Sequence, residues 1–209
     1  MKTNAQLAAL FSNACASGMM CFARATNLCY HLMRCENIPG DVVEFGSHKG
    51  HTAAMLAAIT KKQVWCVDSF RGLPPKSSHD ITDPKFVEGS LKCEQAVLEK
   101  TFLDAGLPLP KIIPKWFKEV RPIELPQKIA FCHIDSDFYH STLSALELAY
   151  PKLSHDAACF IDDMPYTGLP GVKVAVESFL TGRPERNRMM QFRGPCTEVT
   201  MHCMFRKCG

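Results

Sequence analysis

Four short apolar runs in this chain each end at an acid. DVVEF carries Glu44 at its end, QVWCVD closes on Asp68, IAFCHID on Asp135, and AACFID on Asp162 with Asp163 behind it. β-rich runs alternating with helical stretches of about 10–15 residues predict right-handed βαβ units, and so a mostly parallel sheet with helices on both faces. In such α/β sheets ligands bind outside the carboxyl ends of the strands. Glu44, Asp68, Asp135, Asp162 and Asp163 are therefore all expected to border one crevice.

The rest of the chain fits this frame. Residues 5–35 recur at helical spacing and read as one long or two shorter helices, stopped by Asn37, Pro39 and Gly40. An alanine-rich helix follows Gly50, and residues 71–90, with three prolines and two glycines, predict a long surface loop. Residues 91–105 are helical again. KIIPKWF predicts a third strand, edge-like because of Pro114. Strands are expected at 129–135 and 157–162, helices at 141–153 and 171–182, and two last β-like runs at 188–193 and 198–206.

A chain of 209 residues suits one core. No apolar run reaches the ~18–20 residues that cross a bilayer. A net charge of +3 from scattered basic residues gives no nucleic-acid footprint. Lys61, Lys62 and the stretch Arg183 to Arg188 read as solvated faces. Eleven cysteines, an odd number without a C-x-x-C pair, read as reduced thiols in a cytoplasmic protein. Polar residues interrupt the N-terminal apolar stretch, so it reads as an amphipathic helix and not a secretion signal.

At the first strand-to-helix turn, Glu44, Gly46 and Gly50 flank Ser47 and His48. Glycines there allow a tight turn and close approach of a ligand, and free N–H groups at the helix start favour an anionic group. The spacing is not the dinucleotide fingerprint. A plain glycine turn is the alternative. Asp68, with Ser69 beside it, stands where two hydrogen bonds could hold a ribose diol; a simple loop cap is again the alternative. Without a pyrophosphate cradle, a nucleoside lacking phosphates fits best, and S-adenosylmethionine (SAM) is one.

Clustered carboxylates repel by roughly 4 kcal/mol per pair at 4 Å and an effective dielectric near 20. Asp135, Asp137, Asp162 and Asp163 would thus take up protons or recruit a hard divalent ion such as magnesium. Such an ion acidifies a bound hydroxyl, and a neighbouring carboxylate can take its proton. Asp137 could instead cap the following helix, and Asp162 and Asp163 could form a solvated turn. His133 reads as core, whereas His48, His51 and His140 lie in loops near the expected crevice. Trp116 and Phe117 would pack in the core or stack on a ligand ring.

The stretches PGDVVEFGSHKG, VDSFRGLP, WFKEVRP, IDSDFYHSTLSALELAYPKLS, FIDDMP and GVKVAVESF, in this order, resemble the macrocin O-methyltransferase group of SAM-dependent enzymes. The resemblance covers most of residues 39–180. It implies a class I methyltransferase fold, a Rossmann-like three-layer sandwich whose seven-stranded, mostly parallel sheet has its last strand antiparallel. It also implies SAM at the glycine loop, magnesium held by Asp135, Asp162 and Asp163, and Asp135 as the base with Asp137 in reserve. Catechol-type enzymes look similar in metal arrangement but use a lysine as base, and none lies within three positions after Asp135. His51 and His140 depart from the family's usual residues, and the loop after Asp68 looks short.

The expected domain plan is a helical extension, 1–38, before a methyltransferase domain, 39–209. The extension could cover the active site or join two copies of the chain. The expected activity is magnesium-dependent methyl transfer from SAM to a hydroxyl of a small molecule, a sugar or polyol, with neither nucleic acid nor membrane as partner. The rivals are a SAM-binding module without turnover and, further off, a nicotinamide oxidoreductase.

Overall fold

A computed structural model describes residues 4–16, 20–80, 84–164, 166–192 and 202–209. Seven strands form one sheet in the order β3-β2-β1-β4-β5-β7-β6, with β1 Asp41–Phe45, β2 Val64–Val67, β3 Lys111–Ile113, β4 Ile129–Ile134, β5 Leu153–Asp162, β6 Met190–Phe192 and β7 His202–Arg206. β1 to β5 pair in parallel, and β7 runs antiparallel to both β5 and β6. The reversal of chain order between β1 and β4 places a switch point where Phe45 and Ile134 end side by side.

Among the described residues six α-helices cover the sheet: α1 Asn4–Ala16, α2 Phe22–Arg34, α3 His51–Ala57, α4 Gln95–Asp104, α5 Tyr139–Ala149 and α6 Pro170–Leu180. Period-two alternation divides the strand residues between two faces. Val42, Phe131, Ala158, Phe160 and Met204 pack with Leu28 and Leu32 of α2, Met55 of α3 and Leu98 of α4. Val43, Cys132, Cys159, Ile161 and Phe205 pack with Leu146 of α5 and Val176 of α6. The 5–35 stretch is thus two helices, whose apolar side shares a core cluster with the sheet.

Several boundaries differ from expectation, and α4 starts at Gln95, four residues late. α5 ends at Ala149, because Pro151 lies in a 3-10 turn over Tyr150–Lys152. β5 starts at Leu153, four residues early: Ser154, His155 and Asp156 are polar and Asp156 has φ 63°, which hides the strand's first half in the sequence. Of KIIPKWF only Lys111–Ile113 is strand, at the sheet edge, and Pro114 ends it. Of the last two expected runs, Met190–Phe192 and His202–Arg206 are strand, and residues 193–201, which include the start of the second run, lie outside the described ones.

Candidate active site

A cavity of about 580 Å³ opens at the carboxyl end of the sheet. Its polar side is lined by Gly46, His48, Asp68, Asp135, Asp137 and Asp163. Leu73, Phe86, Leu91 and Tyr166 give it an apolar lining as well, and Trp116 and Phe117 also border the space. A concave, mostly apolar space with a few convergent polar groups is what small-molecule sites look like.

The polar side is held by backbone. After β1 the chain turns at Gly46 with φ 88°, and its N–H donates to the Val67 carbonyl at 2.9 Å. A Cβ at Gly46 would lie 1.8 Å from the Asp135 carbonyl oxygen, so only glycine fits between the end of β1 and the acid. Next, His48 takes a left-handed φ of 46°, and its N–H donates to Asp68 Oδ2 at 2.8 Å. The Phe70 N–H donates to Asp68 Oδ1 at 2.7 Å. Two amides thus orient the Asp68 carboxylate while each oxygen keeps acceptor capacity for a ligand hydroxyl. Burial pushes the His48 imidazole below its ordinary value, with Lys49 adding to it.

Three acids converge across from this loop. One carboxylate oxygen from each of Asp135, Asp137 and Asp163 lies within 4.8 Å of the others. Asp137 and Asp163 have φ of 60° and 59°, the left-handed region that short Asp and Asn side chains tolerate best. That backbone turns both side chains out of strand alternation and toward the cavity. Burial, then Asp162, push Asp135 up to about 8. Burial, then Asp163, push Asp137 up to about 7. Burial, then Asp135, push Asp163 up to about 8. Carboxylates that crowded hold protons near neutrality or share a cation, and an all-oxygen set suits a hard divalent ion.

Two of the five acids expected at the crevice are not there. Asp162 obeys the alternation of β5, follows Ala158 and Phe160 toward α2, and is buried. Its Oδ2 lies 3.2 Å from Arg24 Nη1 and 3.1 Å from His133 Nε2. The histidine contact is short but off the line of a hydrogen bond, so it acts through charge. Burial pushes the Asp162 carboxyl up, but Arg24 and then His133 outweigh it and hold the group well below the usual carboxylate range. Glu44 is also buried, with Oε1 3.0 Å from His133 Nδ1. Burial alone would lower the His133 imidazole, yet Asp162 first and Glu44 after it raise it well above its ordinary value. Glu44, His133 and Asp162 thus form a buried chain beneath the cavity floor, and it ends at Arg24, which lines the cavity.

Other expectations resolve residue by residue. Asp137 does not cap α5. The Tyr139 N–H donates to Asp80 Oδ1 at 2.8 Å, and Asp80 Oδ2 accepts from the Ser77 N–H at 2.8 Å and hydroxyl at 2.6 Å. Gly171 of α6 makes room for this carboxylate, since a Cβ there would sit 2.0 Å from Oδ1. Ser69 lines the cavity, while Ser47 is buried and Gly50, with φ 77°, begins α3. Of the three histidines expected in loops, His51 instead opens α3 and His140 lies in the first turn of α5; only His48 of the three reaches the cavity, while His51 borders a separate hollow beside α1 and His140 packs on Tyr139. His133 is buried as expected, but as a charged link and not as plain core. Phe117 borders the cavity and packs edge-on against Phe45 at 5.4 Å. Lys62 is no mere solvated charge, for its Nζ donates to the Ile38 and Gly40 carbonyls at 2.6 and 3.1 Å. Arg183 lies over the Phe179 and Tyr150 rings, 4.0 and 5.0 Å from their centres.

Sequence reasoning missed Arg24 and Asp80. Arg24 shares the apolar face of α2 with Leu28 and Leu32, and an arginine on an otherwise apolar stripe is the signal that could have found it. Asp80 sits in an irregular loop and carries no comparable signal.

Residues 11–205 match the family model for macrocin-O-methyltransferase (TylF). The chain belongs to this family. Among family relatives, the 8-demethyl-8-(2,3-dimethoxy-alpha-L-rhamnosyl)-tetracenomycin-C 4'-O-methyltransferase of Streptomyces olivaceus is 30% identical over 163 residues, 71% of this chain and 62% of that protein. The mycinamicin III 3''-O-methyltransferase of Micromonospora griseorubida is 28% identical over 181 residues, 78% of this chain and 70% of that protein. The chain thus spans less than two thirds of the first relative. The fold matches that of the O-methyltransferase NovP, with a TM-score of 0.74 at 22% identity over 90% of this chain and 81% of that one. An O-methyltransferase from Bacillus cereus in complex with SAH matches with a TM-score of 0.64 at 12% identity over 99% and 93%. Seven strands in this order, the last antiparallel, are the class I methyltransferase fold of both.

Proposed function

We propose that this chain transfers a methyl group from SAM to a hydroxyl of a sugar-bearing or polyol small molecule, with magnesium at the cavity acids. The observation that carries the reading is the convergence of Asp135, Asp137 and Asp163 on a cavity whose other polar edge is the Gly46–Asp68 corner. Family membership supports the reaction type. The two relatives, whose names specify O-methylation of glycosylated natural products, support the acceptor class.

In this reading Asp68, fixed by two amides, accepts the ribose hydroxyls. Gly46, His48 and Ser69 border the rest of the cofactor, with Ser47 and Gly50 shaping the turn. Glu44 acts from beneath through His133. Asp135 takes the proton of the acceptor hydroxyl, as the acid that lines the cavity and abuts the Gly46 corner. Asp137 is the reserve base. The magnesium ion, faced by Asp135 and Asp163, supplies acidification and orientation of that hydroxyl. Residues 39–209 form the methyl-transfer unit, and 1–38 contribute Arg24.

Arg24 favours a second reading. A guanidinium already neutralises part of the acid cluster, as a SAM-binding module without turnover would need. Calorimetric titration with SAM, with magnesium or chelator present, and SAM turnover on pooled glycosides test the two. Magnesium-dependent methyl transfer is expected; SAM binding without metal effect or product would favour the binding module.

A further inference from the structure

We propose that Asp80 is a positioning residue for methyl transfer: its carboxylate clasps the loop after Asp68 to the start of α5, and so holds the apolar lining of the cavity at a fixed distance from the acids. The inference rests on the reading above, in which that lining receives the acceptor, and adds the group that sets the acceptor's place.

Both arms of the loop border the cavity. The Leu73 N–H donates to the Ser90 carbonyl at 2.7 Å and the Gly89 N–H to the Leu73 carbonyl at 2.9 Å, which closes the stem of the loop. Leu73 and Pro74 of the outgoing arm and Phe86 of the returning one line the cavity. Asp80 is only 3% exposed, and its two oxygens divide the work. Oδ2 accepts from the Ser77 N–H at 2.8 Å and hydroxyl at 2.6 Å, which fixes the turn of the loop itself. Oδ1 accepts from the Tyr139 N–H at 2.8 Å. At the same junction the His79 ring packs on that of Tyr139, with 4.3 Å between centres. Asp137 stands two residues before the clasped amide, so one buried carboxylate joins the lining to an acid of the cavity.

Two features mark the clasp as more than a helix cap. α5 begins after Phe138, which makes no side-chain cap, so a duty commonly performed by a local Ser, Thr, Asp or Asn has passed to the loop. Gly171, in the first turn of α6, is there for space: it has no left-handed φ, and a Cβ would lie 2.0 Å from Asp80 Oδ1 and 3.1 Å from the Tyr139 nitrogen. Glycine is a poor helix former. α6 thus sacrifices helix propensity to admit the carboxylate.

Kinetics of the full chain test this, with the pooled glycoside that is methylated fastest as acceptor, SAM affinity and stoichiometry read by calorimetry, and all measurements well below the unfolding midpoint of each variant. In D80A the acceptor KM should rise about tenfold while the SAM Kd and the kcat per SAM-binding site stay within about threefold, since a displaced lining costs ground state and transition state alike. D80N has one acceptor oxygen to serve two amides, so its KM should rise less, about threefold. A cap alone would lower the fraction of chains that bind SAM and leave KM unchanged, and that outcome overturns the proposal. If D80A does not fold, as judged by circular dichroism, D80N decides in the same way. An unaltered chain that methylates no pooled glycoside overturns the methyl-transfer reading and this inference with it. Methyl transfer with unchanged KM in the variants overturns this inference alone.

Discussion

Asp68 is set in position before any ligand arrives. Its two oxygens are aimed by the His48 and Phe70 amides, so a ligand hydroxyl meets a carboxylate that need not reorganise. Hydrogen bonds to a charged group contribute about 1.5–3 kcal/mol, and Asp68→Ala should therefore weaken SAM binding by about 10–100-fold in calorimetry. Asp135→Asn should leave SAM affinity little changed while lowering kcat by about 10²–10⁴, the range for loss of a general base; steady-state methyl transfer measures it. At this scale the sequence was partly legible. Asp68 and Asp135 could be found because they end apolar runs. Asp162 ends one too, but alternation along β5 sends its side chain to the α2 face, and the partner waiting there is 138 positions away in the chain.

Between elements, Asp80 joins the 71–90 loop to the first turn of α5 and sits against α6 through Gly171. Loss of an N-terminal cap costs about 0.5–2 kcal/mol. Asp80→Ala should lower the unfolding midpoint by about 1–8 °C for a domain of this size, measured by scanning calorimetry. It should also loosen the loop, read as faster proteolysis between Arg71 and Asp80. Helices and strands with strong periodicity were legible here, α3 and β4 above all. β5 was half hidden because its first residues are polar and carry a left-handed Asp156. The cap of α5 was not legible, since the capping side chain comes from 59 positions upstream.

Across the whole molecule, ionisable groups on the two sides of the acid cluster respond to pH with opposite sign. His31, on α2 beside Arg206 of β7, is pushed down to about 4 by burial and then by Arg206 and Arg34. The stability gained by keeping it neutral is complete above its unfolded value near 6.5 and is lost as pH falls through 4. Asp135 and Asp163 are raised to about 8 and Asp137 to about 7, so their contribution is complete below about 4 and is lost as pH rises through 7 to 8. Without a cation, three raised acids outweigh one lowered histidine, so urea unfolding should show stability falling as pH rises from about 4 to 8. His31→Asn should raise stability at pH 4 relative to pH 7, and saturating magnesium should flatten the alkaline fall. The architecture itself was the most legible level, because alternation of strands and helices leaves few ways to connect them. What the sequence did not disclose is that α2 reaches into the site, a contact set by packing and not by any motif.

The meeting of Gly46 with the Asp135 carbonyl makes the donor corner and the waiting acid a single rigid piece of backbone. No side chain can be inserted there to widen the gap between them. On the apolar side the comparable close approach is at Gly72, where a Cβ would lie 2.4 Å from the Gly89 carbonyl oxygen, while the side chains of Leu73, Phe86 and Leu91 face the space itself. In a lineage built this way, change in what the cavity accepts is channelled into those side chains, while the spacing of the glycine corner and the acid is inherited.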